Sequence, residues 1–144
     1  MNVELKPAPG FDEETGRAVA TLTRAMFGLQ IAADDPLQLP LLSSFSLRAL
    51  EAAAEAAPDI PRALLVKETP PPDWARQAGA VGAVAVHASQ KKLTRAFVRQ
   101  VKDAGLGLFC YTVNDPIRAR EILGWGVDAF CTDRIDLIGP DFAR

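Results

Sequence analysis

Short apolar or β-branched runs alternate with longer stretches of helical periodicity along the whole of this sequence. The runs are Val3–Lys6, Leu41–Phe45, Ala63–Val66, Ala83–His87, Leu106–Val113 and Ala129–Thr132. Between them, apolar residues recur at three- and four-residue spacing over Asp12–Phe27, Ser46–Ala57, Trp74–Ala78, Thr94–Ala104 and Asp115–Leu123. A strand followed by a helix, repeated in this way, predicts parallel strands joined by right-handed crossovers, an α/β fold. The step between strand centres averages about 25 residues, which suits a barrel with tight crossovers. The competing architecture is an open doubly wound sheet. That fold usually carries a glycine-rich phosphate loop after its first strand, and Pro7-Ala8-Pro9-Gly10 is not one.

Punctuation residues support these elements. Ser46 precedes Leu47, Leu50, Ala53, Ala54 and Ala57, so its hydroxyl is placed to accept from an orphan backbone N–H. Asp115-Pro116 predicts a helix start, because proline at the first helical position loses only an N–H that has no partner. That helix is expected to stop at Gly124 and Gly126, and Gly105 suits a left-handed cap after Lys102-Asp103-Ala104. Ala32–Pro40, with Pro36 and Pro40, reads as a polar connector. The three prolines within Thr69–Asp73 read as a stiff loop.

The net charge is −2 and both signs are interspersed, so no basic stripe points to nucleic acid or anionic lipid. No apolar run reaches the roughly 18 residues that span a bilayer. Glu4 stands where a signal peptide would be apolar, which favours a cytoplasmic location. Cys110 and Cys131 lie in apolar runs and are expected to be buried and reduced. Lys91, Lys92, Arg95, Arg99 and Lys102 read as a solvated helix face.

Glu4 and Lys6 are two apart on a strand and share a face, opposite Val3 and Leu5. At the C-terminal end of a barrel strand such a charged pair lies where active sites are assembled; otherwise it is an internal ion pair or part of an exposed edge. Tyr111 shares a face with Phe109 and Val113 and either overhangs a pocket or packs in the core with its hydroxyl satisfied. Phe45, at another strand end, is pocket wall or core. His87 closes its run without a partner nearby in sequence, which favours a structural or solvent-facing place over acid–base work. Asp133 is read as a cap for the turn Ile135–Ile138.

Taken in order, Asn2-Val3-Glu4-Leu5-Lys6-Pro7, Leu41-Leu42-Ser43-Ser44-Phe45, Tyr111-Thr112-Val113-Asn114, and Trp125-Gly126-Val127-Asp128 leading into Cys131-Thr132-Asp133 resemble the glycerophosphodiester phosphodiesterase family. The resemblance covers essentially the whole chain. It implies a (β/α)8 barrel that hydrolyses glycerophosphodiesters to glycerol 3-phosphate and an alcohol with a divalent cation, Mg²⁺ or Ca²⁺. It makes Glu4 a metal-binding carboxylate, Lys6 the cation beside the phosphate, and Phe45 and Tyr111 lining of the substrate pocket.

The sequence also departs from the family pattern. The His-Arg-Gly strand, the Glu-x-Asp metal pair and the second His before Asp, which precede the Glu-x-Lys strand in the family, do not occur. At Asp128-Ala129 the family more often has Asp-Gly. Strand order then makes this an incomplete TIM barrel, strands three to eight with their helices. It is read as a single domain over residues 1–144 that lacks the first two β-α units. No catalytic acid–base residue is expected in it, and activity of the chain alone is expected to be negligible. The expected partners are a small-molecule glycerophosphodiester for the intact protein, and a complementary N-terminal segment or a second copy for the open barrel. The alternatives are a non-catalytic part-barrel module binding a partner chain or phosphorylated ligand, and a different phosphate-handling barrel enzyme.

Overall fold

Every apolar run becomes a strand in the computed structural model, which describes residues 1–142 except 34 and 36. The strands are β1 (Asn2–Leu5), β2 (Leu41–Ser44), β3 (Arg62–Val66), β4 (Ala83–Ser89), β5 (Gly107–Tyr111) and β6 (Ala129–Phe130). The helices are α1 (Asp12–Met26), α2 (Gly28–Ala33), α3 (Leu47–Ala56), α4 (Trp74–Ala80), α5 (Arg95–Asp103) and α6 (Pro116–Trp125). The chain divides into two compact units: Met1–Leu65 with Asp73–Val84, and Val66–Pro72 with Ala85–Arg144.

In the first unit, β1 pairs with β2 and β2 with β3, all parallel. The Met1 carbonyl accepts from the Leu41 N–H. Parallel pairing directs alternate peptide groups to opposite sides, so those of Asn2 and Glu4 point to the strand's other edge. Leu5, Leu42, Leu50, Ile60, Leu64 and Val81 fill the core beneath the helices. Helix α1 presses Gly16, Ala20 and Thr23 toward α3. A Cβ at Gly16 would lie 2.2 Å from the Ala49 carbonyl oxygen, so only glycine permits this approach.

In the second unit, β4 pairs with β5 and β5 with β6, again parallel. Val86, Phe97, Val98, Val101, Leu108, Cys110, Ala119 and Ile122 form its core. Asp128 anchors the start of β5: its carboxylate accepts from the Leu108 N–H at 2.7 Å and pairs with the Lys102 Nζ. Burial pushes this carboxyl up, but Lys102 and the Leu108 N–H more than offset that and hold it below the usual carboxylate range.

The caps form largely as the sequence directs. Ser46 Oγ accepts from the Ala49 N–H and Asp115 from the Ile117 N–H, while Gly105 adopts φ 74° after α5. Helix α6 runs through Gly124 and ends at Gly126, whose φ of 105° supplies the left-handed cap. Ala32 and Ala33 belong to α2 rather than to the connector, because Gly28–Ala33 closes a helical turn directly after α1. Pro36 lies outside the described residues.

Candidate functional site

Glu4 ends on the face of β1 opposite the buried Leu5, and Lys6 follows just beyond the strand. Their charged ends meet at 3.4 Å, with side-chain exposures of 31% for Glu4 and 77% for Lys6. This is a solvent-facing ion pair, and it carries little of the desolvation cost that a buried one would. Register aligns Glu4 with Ser43 on β2 and Ser43 with Ala63 on β3, so these three share a face. Ser43 is fully buried, and its Oγ has no hydrogen-bond partner among the described residues. Sequence reasoning quoted Ser43 only as part of a motif; an orphaned hydroxyl leaves no trace in residue spacing.

Phe45 follows β2 and remains 45% exposed, so it is not core. Next to it Ser44 Oγ donates to the Leu5 carbonyl and accepts from the Ser46 N–H, fixing the end of β2 against the end of β1. Glu4, Lys6 and Phe45 thus belong to the first unit, at the C-terminal ends of its strands.

Tyr111 belongs to the second unit, at the last position of β5 opposite Ser89 of β4. Its ring is half-buried, and its hydroxyl donates to the Val66 carbonyl at 2.7 Å. His87 is 3% exposed and tilts against the Phe109 ring with centroids 4.8 Å apart. Burial pushes its imidazole down to about 4, so it is neutral at pH 7.

Three local readings are corrected. Cys131 is exposed because β6 ends before it, whereas Cys110 is buried and burial pushes its thiol up to about 12; both are free. The Asp133 carboxylate accepts from the Asn114 side chain, while Thr132 Oγ1 takes the Arg134 N–H at the following turn. Lys91, Lys92, Arg95, Arg99 and Lys102 are all solvent-exposed, but Lys91 and Lys92 lie on a 3₁₀ turn, Gln90–Lys92, each 3.6 Å from Glu68, so the five do not share one helix.

Members of this family generally use divalent cations. Among the described residues no group of three or more His, Cys, Asp or Glu is placed to hold a metal ion. Glu4 offers a single carboxylate with an ammonium beside it, whereas Mg²⁺ and Ca²⁺ take six or more oxygens. These residues by themselves do not fit a resident cation. Among them, too, no helix is long and apolar enough to cross a membrane.

The comparisons with known proteins agree with this layout. The chain is 26% identical over 144 residues to YhdW of Bacillus subtilis (strain 168), named as a candidate glycerophosphodiester phosphodiesterase; the match covers 96% of this chain and 54% of that protein. It is similar to a phosphodiesterase of Oleispira antarctica solved with its product sn-glycerol-3-phosphate, at TM-score 0.74 and 28% identity, over 92% of this chain and 50% of the other. A glycerophosphodiester phosphodiesterase of Thermotoga maritima shares the fold at TM-score 0.64 and 21% identity, over 95% of this chain and 55% of the other. The chain therefore spans about half the length of these relatives, and its fold is α/β, parallel strands with their helices as in part of a (β/α)8 barrel. The model of the glycerophosphoryl diester phosphodiesterase family matches residues 5–137, and the chain belongs to that family.

Proposed function

We propose that this polypeptide, residues 1–144, is one incomplete barrel domain that supplies the substrate-holding part of a glycerophosphodiester phosphodiesterase. The family match over residues 5–137 carries the reading. In it, Lys6 offsets negative charge on the phosphoryl oxygens and Phe45 offers its ring to substrate in the first unit, while Tyr111 offers its ring to substrate in the second. Glu4 contributes one carboxylate to a divalent cation whose other ligands come from outside these residues. The reaction in view is hydrolysis of a glycerophosphodiester to glycerol 3-phosphate and an alcohol, in the cytoplasm.

Catalysis by this chain alone is not expected. Its single histidine, His87, is buried, and removing members of a cooperating set costs many orders of magnitude in rate. The edge of β1 away from β2, which pairs with no strand among the described residues, favours a complementing chain. So does the exposed stripe of Ala18, Leu22 and Ala25 on α1, continued by Leu29 on α2. The deciding experiment measures glycerol 3-phosphate release from glycerophosphocholine with Mg²⁺ or Ca²⁺. The chain is assayed alone and mixed with a polypeptide corresponding to the first two β-α units of a relative. Release is expected only from the mixture, and its loss on Lys6→Met is expected with it. Turnover by the chain alone overturns the incomplete-site reading, and a mixture that associates yet stays inactive overturns the phosphodiesterase reading.

A further inference from the structure

We infer that the turns following β3 and β4 carry a cationic subsite, Lys91 and Lys92 around Glu68, which receives an anionic group carried by a phosphodiester ligand. The class of ligand rests on the function proposed above; the subsite rests on geometry within the second unit.

Lys91 Nζ lies 3.6 Å from Glu68 Oε1, and Lys92 Nζ lies 3.6 Å from Glu68 Oε2. Two ammonium groups facing one carboxylate leave one positive charge uncompensated. Neither contact is a tight charge-assisted hydrogen bond, for which the separation is about 2.7–2.9 Å. The ammonium hydrogens therefore remain available to ligand oxygens. The lysine side chains are 71% and 63% exposed, so an incoming anion reaches them directly.

The backbone that presents these lysines is held on both sides. Ser89 Oγ accepts from the Lys91 N–H, and the Arg118 guanidinium donates to the carbonyls of Gln90 at 2.9 Å and Leu93 at 3.1 Å. Arg118 is itself set over the Trp125 ring, 4.7 Å from its centre, and pairs with Glu121. On the other flank, the Tyr111 hydroxyl ties down Val66, two residues before Glu68. A turn already fixed in place reduces the ordering cost of capturing an anion. In parallel barrels the C-terminal ends of the strands are where ligands are met. Such a pair selects a phosphate or carboxylate and repels a quaternary ammonium.

The test is calorimetric titration of this chain with glycerophosphoinositol and with glycerophosphoinositol 4-phosphate, which differ by one phosphate. The phosphorylated ligand is expected to bind on the order of tenfold more tightly at low salt, with the preference shrinking at 0.5 M salt. Lys91→Met/Lys92→Met should erase the preference without changing the affinity for glycerophosphoinositol, whereas Arg17→Gln/Arg99→Gln, an equal charge change elsewhere, should preserve it. Heteronuclear NMR spectra confirm that the variants fold. Equal affinities in the unaltered chain, or a preference that survives the lysine substitutions, overturns the subsite and leaves the phosphodiester reading standing. Binding of neither ligand overturns both.

Discussion

The Tyr111 hydroxyl donates to the Val66 carbonyl oxygen at 2.7 Å, joining the end of β5 to the last residue of β3. Sequence parity placed Tyr111 on a strand face but left open whether its hydroxyl was free for a ligand. That hydroxyl is engaged with backbone, which satisfies it without a ligand. Tyr111→Phe should keep the ring and cost about 1 kcal/mol of stability, the net worth of one such bond. Urea unfolding measures it; no loss would mean the bond contributes nothing net.

A second expectation concerns the contact of α1 with α3. Gly16→Ala places a methyl group 2.2 Å from the Ala49 carbonyl oxygen, so the helices must separate. Overpacking of this kind costs about 1–3 kcal/mol. Gly28→Ala, with nothing within 4 Å of the added carbon, is the control and should be neutral or stabilising. Thermal unfolding of the pair tests the idea, and it fails if the two behave alike.

His87 gives the pH dependence its sign. Burial lowers its folded value to about 4 from an ordinary 6.5. Below pH 6.5 the unfolded chain takes up a proton that the folded chain refuses, so stability falls as pH drops toward 4 and then levels. Between pH 7 and pH 5 the loss from this group should be about 2 kcal/mol. Subtracting the urea-unfolding profile of His87→Leu isolates it from the carboxylates, and a difference that stays flat with pH would refute the assignment.

Ser43 offers the reverse case. Its buried Oγ lacks a partner, and an unsatisfied hydroxyl carries a desolvation penalty of about 1–3 kcal/mol. Ser43→Ala should therefore leave stability unchanged or raise it. A clear decrease in the denaturant midpoint would show that the hydroxyl is already satisfied.

The fold was legible because its signals are local. Helical and strand periods differ, and Ser46, Asp115 and Gly105 act on backbone groups within a few residues of themselves. Glu4 and Lys6 were legible for the same reason: two residues apart on a strand means one face. What escaped depends on partners remote in sequence. Glu68 meets Lys91 and Lys92 only once β4 is in place, and Asn114 claims Asp133 across the ends of β5 and β6. Helix α2 escaped because it adds only one short turn after α1 and none of its residues is buried. The exposure of Cys131 follows from where β6 stops, which its apolar neighbours did not reveal.

The outward peptide groups of Asn2 and Glu4 have a bearing on solubility as well as on chemistry. A bare strand margin invites other extended polypeptides to add on, and charged side chains along it act as gatekeepers against such growth. Glu4 and Lys6 stand on that margin. Neutralising either one to probe phosphodiester chemistry also removes a guard against edge-to-edge strand addition, so light scattering belongs beside every kinetic measurement on those variants.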